Sequence, residues 1–70
     1  MKPGDLVKDG DDGEIGLVVS IGPGIIVNDC EEYPDGCMPS WKVKWPSAPY
    51  VCDLGEDSMT SGLVKILSEA

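Results

Sequence analysis

Glycine and proline fall between the apolar runs of this chain and divide it into pieces that suit short strands and turns. Nine Gly and six Pro punctuate 70 residues. The clearest piece is Ile15–Ile21, where Ile15, Leu17, Val19 and Ile21 share one face by period-2 alternation and Gly16, Val18 and Ser20 share the other. Gly4–Lys8 reads as a first strand, and Asp9–Glu14 as a polar, Gly-rich loop. Gly22-Pro23-Gly24 ends the long strand, and Ile25–Val27 is a β-branched run too short for a helix.

Residues 28–40 form a loop excursion carrying Pro34, Gly36, Pro39 and two cysteines. In Trp41–Trp45, two rings and Val43 alternate with Lys42 and Lys44, the pattern of a half-buried strand. Pro46–Pro49 is a turn, and Tyr50–Leu54 is its hairpin partner. Glu56–Gly62 fits one helical or 3₁₀ turn, and Leu63–Leu67 is the last strand. The expected fold is all-β, a single SH3-like barrel domain over residues 1–70 of about five strands, with a short 3₁₀ turn before the last. Leu6, Ile15, Leu17, Val19, Val43, Val51 and Ile66 are expected in its core.

Two stretches carry resemblances. Leu6–Val18, with Gly10, Gly13 and Gly16 three apart, resembles the KOW motif of ribosomal proteins and transcription elongation factors, itself part of an SH3-like barrel. That likeness implies the barrel. RNA-holding KOW loops are usually basic, whereas this loop carries Asp9, Asp11, Asp12 and Glu14, so RNA binding does not carry over. Lys2–Val7, Gly13–Ile21, Trp41–Ser47 and Gly62–Leu67 together resemble small proteins encoded by tailed bacteriophages, especially marine ones. This implies a viral origin and an accessory role.

The formal net charge is −8, from 13 acidic and 5 basic residues. Such a surface repels phosphate backbones and anionic lipid, which disfavours direct nucleic-acid or membrane binding. No apolar run spans a bilayer and Met1–Asp5 lacks a signal-peptide core, so the expected location is a virion or host cytoplasm. Histidine is absent, and no Ser or Cys lies in a recognisable nucleophile setting, so a non-catalytic role is expected. The carboxylates all read as exposed loop groups. Asp9, Asp11 and Glu14 read as a solvated acidic turn, lacking the distant Glu of a calcium loop.

No cofactor or metal is expected, because three cysteines without histidine or a CxxC pair leave zinc a ligand short. A disulfide between Cys30 and Cys37 is sterically open, and Cys52 reads as a small buried hydrophobe. The candidate binding residues are Tyr33, Trp41, Lys42, Lys44 and Tyr50, with the two Trp alternatively filling the core. The expected partner is a larger phage protein, approached as a virion component such as a capsid decoration or tail adaptor. The alternative is a host nucleic-acid-binding protein, held by a free acidic inhibitor.

Overall fold

A computed structural model describes residues 1–28 and 30–70. Seven strands and one helical turn follow in order: β1 (Leu6–Asp9), β2 (Ile15–Ile21), β3 (Ile25–Ile26), β4 (Cys37–Met38), β5 (Ser40–Lys44), β6 (Val51–Gly55), α1 (Glu56–Thr60) and β7 (Val64–Ser68). Five of the strands make one antiparallel sheet in the order β6-β5-β2-β1-β7, and β3 and β4 make a separate two-stranded ribbon. The domain is all-β. The last strand returns to pair with the first, and α1 packs against both β6 and β7, the two strands at the sheet's edges. This is the barrel-like path expected from the turn spacing. The turn before the last strand is α-helical rather than 3₁₀.

The core lies on the opposite side of β2 from the expected one. Buried apolar residues are Val7, Val18, Met38, Val43, Leu54 and Val64, with Met1, Trp41, Trp45 and Met59 packed against them. Of the seven residues expected inside, only Val43 is buried. Leu6, Ile15, Leu17, Val19, Val51 and Ile66 are exposed, Leu17 by 43% and Val19 by 40%.

The reason is space. A Cβ on Gly16 would lie 2.7 Å from the Trp45 ring and 2.8 Å from Val43 Cγ1. Val43 of β5 and Trp45 just after it already fill the interior, and only Gly16 and Val18 fit beside them on β2. Alternation shows which residues share a face, not which face is inside. A register shift between Val18 and Ser20 also breaks the alternation. Beyond it Ser20 lies opposite Lys42 and Ile21 opposite Trp41, so Ile21 leaves the row of Ile15 and Leu17.

Asp5 corrects the reading of the acids as exposed. It is buried, and its carboxylate accepts the backbone N–H of Lys2 at 2.9 Å and that of Ala70 at 2.8 Å, with the Lys2 ammonium 3.6 Å away. One side chain thus ties the turn before β1 to the residues after β7. Those backbone donors, Ala70 first, hold the Asp5 carboxyl below its ordinary 3.8. Positive φ at Gly4 makes this turn, so β1 begins at Leu6 rather than Gly4.

The excursion after β3 is anchored at several points. Met38 pairs with Ile25, and both reach over Gly55, where no side chain intervenes. Buried Ser40 accepts the N–H of Gly24 through its hydroxyl at 3.0 Å and that of Gly22 through its carbonyl at 3.0 Å. The Tyr33 hydroxyl donates to Glu56 Oε1 at 2.8 Å, linking the loop to α1.

Candidate docking surface

Cross-strand neighbours share a face of a sheet, so the register assigns the outer surface residue by residue. One row runs Lys65 on β7, Lys8 on β1 and Ile15 on β2. The next runs Ser68, Leu6, Leu17, Lys44 and Val51, from β7 to β6. A third holds Ser20, Lys42 and Asp53. Leu67 is the extra residue where the β7 register shifts beside Leu6, and it too is exposed.

The outcome is an apolar diagonal from Ile15 through Leu17 and Leu6 to Leu67. Lys8 and Lys65 lie on one flank, and Lys44 and Lys42 on the other. Four of the chain's five basic residues therefore stand on one face of a protein whose net charge is −8. Asp53 is the one acid in these rows, and it pairs with Lys42. Among the described residues no carboxylate pairs with Lys8, Lys44 or Lys65.

The binding residues expected from sequence are dispersed. Lys42 and Lys44 lie on this face, half-buried rather than freely exposed. The Lys44 ammonium donates to the carbonyls of Trp45, at 2.9 Å, and Ala48, which bends it toward the 46–49 turn. Trp41 lies on the inner side. Its indole N–H donates to the Met1 carbonyl at 3.1 Å, and its ring borders an open cleft of about 310 Å³ together with Ile21, Pro23 and Pro39.

Tyr33 borders a wider, polar depression of about 520 Å³ on the excursion. Its phenol is pushed up to about 12 by its hydrogen bond to the Glu56 carboxylate. Tyr50 is exposed on the turn before β6. Cys30, Cys37 and Cys52 are free thiols, and Cys52 is half-buried. The residues of this face that the sequence did not offer for binding are Leu6, Lys8, Ile15, Leu17 and Lys65. Leu6, Ile15 and Leu17 were expected in the core, and nothing in the local sequence set Lys8 or Lys65 apart.

The acidic loop after β1 is closed on itself. Asp9 Oδ1 accepts the N–H of Asp11 at 2.9 Å, and Asp12 Oδ1 that of Glu14 at 2.9 Å. Glu14 reaches across to Ser47, accepting from its hydroxyl at 2.8 Å. Among the described residues no group of three or more Cys, Asp or Glu side chains is placed to hold a metal ion. No helix of the described residues is long and apolar enough to cross a membrane. No family model, no curated protein and no solved structure matches the chain.

Proposed function

We propose that this domain is a non-catalytic binding module that docks through its outer sheet face on a larger protein. The carrying observation is the exposed patch of Leu6, Leu17 and Ile15 bordered by lysines. A chain this small has little apolar surface to spare, and leaving its larger aliphatic side chains in water is what a partner surface would offset. Segregation of the lysines from the acids supports orientation by charge, since complementary patches steer and align partners. The likeness to phage-encoded proteins supports a virion component, held on capsid or tail, as the form this docking takes.

The test is mass spectrometry of purified particles from the source, comparing wild type with Leu17→Glu. Many copies per particle, lost in the variant, are expected. Absence of the wild-type chain from particles, with co-purification of a basic host protein instead, would overturn this reading in favour of a free acidic inhibitor.

A further inference from the structure

We infer that the occupant of the outer face is an acidic amphipathic helix of the partner, lying along the diagonal from Ile15 to Leu67. This rests on the docking reading above and names the chemistry of what docks.

The dimensions argue for a helix. Strands in a sheet are about 4.8 Å apart, and successive residues on one face about 6.7 Å along the strand. The diagonal from Ile15 on β2 to Leu67 on β7 crosses two strand gaps and one such step, a length of about 12 Å. Two helical turns rise about 11 Å. An apolar stripe at i, i+3 and i+7 would cover Leu67, Leu6 with Leu17, and Ile15. Carboxylates beside that stripe would meet Lys8 and Lys65, whose ammonium groups are exposed on one flank.

Charge decides among occupants. Lys8 and Lys65 are exposed and lack carboxylate partners among the described residues, so an acidic element supplies what the domain does not. A second copy fits poorly. Face against face would oppose lysines to lysines, and the acidic Asp9–Glu14 loop of another copy brings no apolar stripe. An added β-strand would pair at β6 or β7 and leave this face uncovered.

The experiment is an NMR titration of the labelled full chain with a stapled helical peptide bearing leucines at i, i+3 and i+7 and glutamates on both flanks. A sister peptide carries lysines in place of the glutamates. Phosphatidylglycerol vesicles and a single-stranded oligonucleotide are the other probes.

The acidic peptide is expected to shift the amides of Leu6, Lys8, Ile15, Leu17 and Lys65. Leu17→Glu should abolish this in a chain whose spectrum remains dispersed. Lys8→Glu with Lys65→Glu should weaken binding at least tenfold, and added salt should weaken the wild type. Equal binding of the lysine peptide would overturn the inference, as would vesicles or oligonucleotide shifting these amides where the acidic peptide does not. An acidic peptide without effect also overturns it. That failure is separate from the docking reading, because the particle measurement depends on no peptide.

Discussion

At the scale of single residues, the packing turns on which side chains β5 admits beside it. Gly16 has no room for a Cβ next to Trp45 and Val43, so Gly16→Ala should overpack the interior and cost about 1–3 kcal/mol. Val18→Ala removes two methyl groups from a fully buried site and should cost about 2 kcal/mol. Both costs are large for a 70-residue domain, whose total stability is roughly 4–10 kcal/mol. Denaturant unfolding curves measure them.

Asp5 makes a prediction of a different kind. Its folded-state carboxyl titrates below the ordinary 3.8, so its stabilising contribution is fully present above that range. The contribution is lost as the pH falls through the folded value. Wild type should therefore lose stability as the pH drops below about 4, and Asp5→Ala should lack that component of the acid transition. Identical acid profiles for the two chains would remove Asp5 from its role of joining the two ends of the sheet. The sequence placed Asp5 inside a first strand over Gly4–Lys8, whereas it precedes β1. Its burial was not readable, because the Ala70 N–H that satisfies it is 65 positions away.

At the scale of elements, most of the strands were legible. The bounds of β2 were read directly from alternation, and the β5–β6 hairpin from the Trp-Lys alternation followed by the Pro46–Pro49 turn. The two-stranded ribbon was not, because two-residue strands leave no period to detect. The inner face of β2 was misassigned for a related reason. Local alternation is symmetric, and only Trp41 and Val43 of β5 and Trp45 just after it, remote in sequence, decide which side is full.

The excursion depends on a connection equally invisible in the sequence, that of Tyr33 to Glu56. The Tyr33 phenol is raised from 10.0 to about 12, so the link's contribution is complete below pH 10 and is lost as the pH rises through 12. Tyr33→Phe should release the excursion at neutral pH and leave the five-stranded sheet intact. Hydrogen exchange at Gly36, whose N–H bonds the Tyr33 carbonyl, reports it. Unchanged protection there would show that the ribbon alone holds the loop. A difference absorbance titration of wild type against the variant should place the Tyr33 transition near 12.

At the scale of the whole molecule, the domain has two sides of opposite character. Small side chains and two Trp fill a narrow interior, while Leu6, Ile15 and Leu17 stand outside among lysines, with most acids in the loops, the excursion and α1. A net charge of −8 with a lysine-bearing face fits selective docking on an acidic surface better than general adhesion to polyanions. All of this requires Leu17 to point outward, and the unfolding free energy of Leu17→Glu tests that directly. The new carboxylate should lie in solvent opposite Lys44, leaving stability within about 1 kcal/mol of wild type. A loss above about 4 kcal/mol, as expected for an unpaired charge forced into a core, would place Leu17 inside and remove the docking face.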